Sequence, residues 1–159
     1  VRREPSNSKL NIICGHWPGE AMSNTEQQQK NVETVRNGLD YARAGRLDLA
    51  RPYFADDMEL HVAESLPHGG LYKGWDGYLE ALKKLKHFWT GTNKLDSREF
   101  LPSGDNKVFI QFDLDGQMAK NGQRLKMAIC AVWTLKDGKV HRIKPFYFDT
   151  KQFVDLAAK

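Results

Sequence analysis

Residues 94–148 place the tightest limit on what this chain can fold into. Four runs with apolar alternation, roughly Lys94–Leu101, Val108–Met118, Arg124–Lys136 and Lys139–Phe148, follow one another with short breaks. Asn121–Gly122 and Asp137–Gly138 separate the last three, and both dipeptides tolerate the positive φ that tight hairpins require. Strands joined so closely pair antiparallel, because a parallel crossover needs a dozen residues or more.

The first half is helical by period. Val32, Val35, Leu39 and Ala42 mark one face of a long helix that should stop at Gly45. "LDLARPYF" predicts a short second helix with Asp48 as its N-cap and Pro52 near its first turn. "ADDMELHVA" alternates as a half-buried strand, and the glycine-rich loop "ESLPHGGLYKG" follows it. Tyr78, Leu82, Leu85 and Trp89 then mark a third helix, with Asp76 at its positive end. Asp149–Thr150 can cap a last helix, "KQFVDLAA". The predicted order α-α-β-α-β-β-β-β-α is that of an α+β domain, with helices covering one face of a bent, mostly antiparallel sheet and leaving a cup between them.

Composition narrows the function classes. No segment approaches the roughly 20 apolar residues of a membrane span. The formal charge of +4 is mild, and the cluster Lys83, Lys84, Lys86 and His87 reads as a solvated helix face. Neither a membrane nor a nucleic-acid partner is expected. Cys14 and Cys130 cannot form a disulfide framework, which fits a reducing cytoplasmic setting. Residues 1–22 lack a sustained period and read as a disordered leader or over-extended start, so that a single domain spans residues 23–159.

"AGRLDLARPYFADDMELHV", "LPHGGLYKGWDGYLEAL" and "AVWTLKDGKVHRIKPFYFDT" together resemble SnoaL-like proteins of the nuclear transport factor 2 superfamily. The resemblance spans about Thr25 to Ala158 and implies a cone-shaped α+β barrel with an internal cavity, often dimeric. The superfamily includes ketosteroid isomerases, polyketide cyclases, limonene-epoxide hydrolases and non-enzymatic binders, so fold alone leaves function open. The isomerase base would fall on Val62, its oxyanion tyrosine on Gly38 and its protonated carboxyl on Ala131. None of these can do that chemistry. The hydrolase residues would fall on Leu60 and Val62, and near Phe112, Leu114 and Phe146, which are equally inert.

Pairing the strands about Asn121–Gly122 sets Phe112 opposite Ala131 and Leu114 opposite Ile129 on one face. A slip of one residue would present Gln111 and Asp113 instead. The first register predicts a cup lined by Leu60, Val62, Ile110, Phe112, Leu114, Ile129, Ala131, Trp133 and Phe146, suited to a hydrophobic small molecule. The bland alternative is that these side chains close on one another as core. If Phe146 faces inward, alternation sends Lys144 inward too, as a carboxylate ligand, base or amine nucleophile. Glu64 and His68 lie beyond the first strand and could meet at the mouth as an acid–base pair, whereas His61 should point outward. Tyr72, Trp75 and Trp89 read as anchors of the loop and third helix. His16, His61, His68, His87 and His141 lack metal-ligand spacing, so no metal or cofactor is expected. The reading is therefore a small-molecule cup protein, homodimeric through its outer sheet face. It is either a cofactor-free acid–base enzyme acting on a hydrophobic carbonyl or polyketide-like compound, or a non-catalytic binder; a protein-interaction module is the third class.

Overall fold

The computed structural model describes residues 25–91 and 93–158. The expectations for residues 1–22, with Cys14 and His16, lie outside them. Helix α1, Glu26–Arg43, begins at a reciprocal cap: Gln28 N–H donates to Thr25 Oγ1 (3.2 Å), while Gln28 Oε1 accepts from Thr25 N–H (2.9 Å). Just beyond its end, Gly45 takes a φ of +72°, which glycine adopts without penalty. The face it buries carries Val35, Gly38 and Ala42. Gly38 is there for space, because a Cβ would meet Phe54 and Tyr53 at 3.2 Å. Helix α2 spans only Leu47–Ala50 and leads into a 3-10 turn, Arg51–Tyr53, that accommodates Pro52. Asp48 lies inside α2 rather than capping it, which corrects the expectation; Arg46 holds the cap position without a side-chain bond.

Strand β1, Phe54–Val62, is followed by a short strand that periodicity did not disclose. β2, Gly70–Lys73, runs antiparallel to β1, with Leu60 opposite Tyr72 and Val62 opposite Gly70. Helix α3 is Gly74–Lys86, with Asp76 in its first turn. The remaining strands are β3 (Lys94–Ser103), β4 (Lys107–Gln117), β5 (Arg124–Lys136) and β6 (Lys139–Tyr147). Helix α4, Thr150–Ala158, starts where Gln152 N–H donates to Asp149 Oδ1 at 2.9 Å. The sheet order is β2-β1-β6-β5-β4-β3, and every pair is antiparallel except β1 with β6. The sheet curls round the helices into a cone-shaped α+β fold. The inner face is plain in β5, where Leu125, Met127, Ile129, Ala131, Trp133 and Leu135 are all buried.

Two turns decide which side chains face inward. At Asp137–Gly138 both residues have positive φ, as a two-residue hairpin demands, and Lys136 pairs with Lys139. At the other turn only Gly122 has positive φ, and Asn121 is the third residue of a four-residue loop. Asn121 Oδ1 accepts from Gln123 N–H, and its Nδ2 donates to the Leu156 carbonyl (2.8 Å). The β4–β5 register is consequently two residues off the expected one, with Phe112 opposite Ile129 and Ile110 opposite Ala131. Two residues preserve the face, so Phe112 and Ile129 stay on the inner side.

β6 behaves differently. Leu135 pairs with Val140, but Thr134 pairs with Arg142, so His141 is an extra residue in the ladder. β1 is irregular beside it, between Phe54 and Glu59, and Asp57 Oδ1 lies 3.3 Å from His141 Nδ1. One extra residue flips the face. Ile143, Pro145 and Tyr147 stand opposite Trp133, Ala131 and Ile129, whereas Lys144 and Phe146 point outward. Phe146 is 52% exposed. The inward placement of Phe146 and Lys144 is therefore corrected, and the cause is a bulge that simple alternation cannot register.

The loop between β1 and β2 closes through Leu66 N–H to the Ala63 carbonyl (3.0 Å) and Gly69 N–H to the Leu66 carbonyl (2.8 Å). A Cβ on Gly69 would lie 2.3 Å from the Ala63 carbonyl oxygen and 2.7 Å from Glu64 Cα. Backbone cannot swing aside as a flexible side chain can. Gly69→Ala should therefore destabilise the fold by about 1–3 kcal/mol; a denaturant midpoint equal to the parent's would contradict that crowding.

Candidate functional site

Between the sheet and helices α1 and α3 lies a cavity of about 180 Å³. The sheet supplies Leu60 and Val62 from β1, then Ile110, Phe112 and Leu114 from β4, and Ile129, Ala131 and Trp133 from β5. These are eight of the nine residues expected to line a cup. Their places in β6 are completed by Ile143, Pro145 and Tyr147, not by Phe146. From the helical side come Leu39, Ala42 and Arg43 of α1, and Tyr78, Ala81, Leu82 and Leu85 of α3. Trp89 closes over β4 at Gly116, where a Cβ would fall 2.6 Å from the indole ring.

His68 is one of the few polar side chains on this apolar wall. It is 3% exposed, held in the β1–β2 loop by the Tyr72 hydroxyl, which donates to the His68 carbonyl at 2.7 Å. Its ring sits among Phe88, Tyr147 and Phe153, with centroids 5.5–6.0 Å away. Nε2 lies 3.2 Å from the Tyr147 hydroxyl, while Nδ1 has no partner among the described residues. Burial pushes the imidazole down to about 4 and the Tyr147 phenol up to about 12, so both are neutral at pH 7. Tyr147 either donates to Nε2 or accepts from it, and in both cases Nδ1 keeps one unused hydrogen-bonding valence. The indole N–H groups of Trp89 and Trp133 are likewise buried and unpartnered. An unmade hydrogen bond costs about 1–3 kcal/mol at each buried group, and all three residues line the same cavity.

The expected pairing of Glu64 with His68 is not formed. Glu64 is exposed and lines a separate depression of about 350 Å³ with His61, Lys144, Phe146 and Thr150, on the other side of Val62, Pro145 and Tyr147. The polypeptide turns at Ala63–Gly69 send the Glu64 and His68 side chains to different sides. Lys144 is exposed in the same depression, opposite Val132 on the outer face. His61 faces outward and bonds Glu59 at 2.8 Å. Among the described residues no cluster of three or more His, Cys, Asp or Glu side chains has the arrangement of a metal site, and no helix is long and apolar enough to cross a membrane.

Sequence reasoning missed Tyr147, Arg43, Tyr78 and Asn93. Tyr147 was hidden by the bulge. Arg43 was legible in principle, since it follows Leu39 by one helical turn and neighbours Ala42 on the apolar stripe.

The SnoaL-like domain family pattern matches residues 35–143, more than half of the chain. The chain belongs to the SnoaL-like domain family. Solved structures of the same architecture include Bal32a from a soil-derived mobile gene cassette, with 22% identity and a TM-score of 0.74 over 82% of this chain and 98% of that one. TerC, co-crystallised with polyporic acid, gives 22% identity and a TM-score of 0.70 over 82% and 99%. A nuclear transport factor 2-like protein of unknown function from Burkholderia pseudomallei gives 18% and 0.71 over 82% and 98%. At these identities the likeness establishes the fold. Curated proteins give no significant sequence match. The cavity of this SnoaL-like domain thus has a histidine–tyrosine pair at its wall.

The histidine has a measurable consequence. Its folded-state pKa of about 4 lies below the ordinary 6.5, so the unfolded chain binds the proton more readily. The contribution of His68 to stability should be independent of pH above about pH 7 and fall as pH drops from about 6.5 towards 4. Relative to His68→Gln, the parent should lose on the order of 1 kcal/mol per pH unit in that window. Carboxylates such as Asp115, held low by its bidentate pair with Arg124 at 2.6 and 2.7 Å, titrate in both proteins and cancel. Parallel stability curves for the two proteins would show that His68 is not buried as described.

Proposed function

We propose that this SnoaL-like domain binds a small hydrophobic carbonyl compound inside the cone, with the neutral His68–Tyr147 pair as its polar anchor. The observation that carries the reading is an almost wholly apolar cavity lined in part by His68, whose buried Nδ1 has no partner among the described residues. An apolar cavity of roughly 150 Å³ accommodates benzene. About 180 Å³ therefore suits a single ring with a short substituent. A buried nitrogen without a partner favours a ligand that presents a complementary oxygen, because such a site penalises ligands lacking one.

The same geometry favours one kind of chemistry over another. A general base works best with a pKa near the working pH, and an imidazole at about 4 is far too weakly basic for efficient proton abstraction near neutrality. A neutral imidazole N–H beside a neutral phenol is suited to polarising a carbonyl oxygen. Cyclase-type or isomerase-type catalysis would use His68 in that way, with Tyr147 fixing the ring. Xanthomonas campestris and Silicibacter proteins of this fold carry names that assign them, provisionally, as polyketide cyclases, which is consistent with hydrophobic carbonyl ligands. Glu64 and Lys144, outside the cavity, hold no role in this reading.

Binding should raise the melting temperature by mass action, by about 2.7 kcal/mol of stabilisation at one hundred times Kd. Acetophenone is expected to stabilise the parent, and Ala131→Phe, which fills the cavity, should remove the shift. His68→Leu should weaken acetophenone but leave ethylbenzene unaffected. No shift with any single-ring ketone at millimolar concentration would sink the proposal.

A further inference from the structure

Among the described residues Arg43 is the one charged side chain on the cavity wall, and no carboxylate pairs with it directly. It ends α1 beside Leu39 and Ala42, exposed enough to be reached from outside, so it marks the mouth rather than the floor. Asp40, one turn earlier on the same helix, is the obvious partner, yet Asp40 pairs with Arg98 instead. No carboxylate among the described residues lies within ion-pairing distance of Arg43. Among the described residues its hydrogen bonds run to Asn93, from Nη1 to the side-chain oxygen (3.2 Å) and from Nη2 to the backbone carbonyl (2.9 Å). Both acceptors are neutral. They hold the guanidinium plane in place and leave its remaining N–H groups without a partner among the described residues. Burial and the neighbouring Arg98 cation lower its pKa, and the more distant charge of Asp40 and the Tyr78 phenol offset this only in part. It nevertheless stays protonated.

An oriented guanidinium with spare donors at the rim of an apolar cavity matches one class of ligand. We propose that the ligand is a hydrophobic carboxylate, with its ring in the cavity and its carboxylate bound by Arg43 at the mouth. The proposal rests on the cavity-binding reading and specifies its substrate class. Asn93 is then a positioning residue. It orients Arg43 through the two bonds it accepts and need not touch the ligand.

Matched ligands separate this from binding by the cavity alone. Calorimetric titration of the parent with trans-cinnamate and with the isosteric neutral cinnamamide should show the acid binding roughly tenfold more tightly or better, as a charge-assisted bidentate contact implies. Arg43→Gln should abolish the preference without weakening cinnamamide, and Arg43→Lys should retain part of it. The preference should also shrink as salt is raised. If the parent binds both compounds equally, or if Arg43→Gln keeps the preference, the anion site is overturned while the cavity reading stands. If the parent binds neither, the cavity reading falls and this proposal with it. Unchanged circular dichroism and melting temperature in the two variants keep a folding defect from being mistaken for either result.

Discussion

One extra residue in strand β6 determines what this molecule can hold. Without the bulge at His141, strict alternation from the Asp137–Gly138 turn would turn Arg142, Lys144 and Phe146 inward. Two uncompensated cations would then sit in an apolar interior, at a desolvation cost of several kcal/mol each. With the bulge, Ile143, Pro145 and Tyr147 face the cavity, while Arg142 pairs with Glu59 on the outside at 3.3 Å. The same displacement brings the Tyr147 hydroxyl to His68. Local backbone irregularity thus sets the burial of the strand and delivers the hydroxyl that hydrogen-bonds the histidine ring.

The histidine is held from both sides of the fold. Its carbonyl is tied by Tyr72 on β2, and its ring is enclosed by Phe88 after α3 and Phe153 on α4. Gly69 lets the loop fold back tightly enough to deliver it. Burial then removes its charge. An exposed histidine in the same loop would titrate near neutrality and could exchange protons; this one is a fixed, neutral hydrogen-bonding group. At the opposite chemical extreme, Arg43 keeps its charge because guanidinium cannot shed it, and its exposure at the rim keeps that tolerable. His68 and Arg43 are therefore polar groups on the cavity that differ in kind.

Much of this was legible in the sequence, and the exceptions share a cause. The fold class and eight cavity positions follow from period-2 alternation, which survived a two-residue misplacement of the β4–β5 register because an even slip preserves the face. Val140 and Ile143, buried three residues apart, were the available clue to the bulge in β6, and alternation alone does not weigh it. β2 escaped because four residues containing a glycine and a lysine make no period. Glu64 and His68 were close enough in sequence to invite pairing. Tyr147, 79 residues from His68, required the tertiary fold to find. Sequence separation misleads wherever a turn decides direction.

All of this presupposes that the inner side chains leave a space instead of closing on one another. Xenon is the most direct probe, since it enters apolar cavities and makes no demand on polar groups. A crystal of the protein under xenon pressure should show an atom bounded by Ile110, Phe112, Ala131 and Trp133, and Ala131→Phe should exclude it. An interior without xenon, with those side chains in mutual contact, would contradict the cavity and every function argued from it.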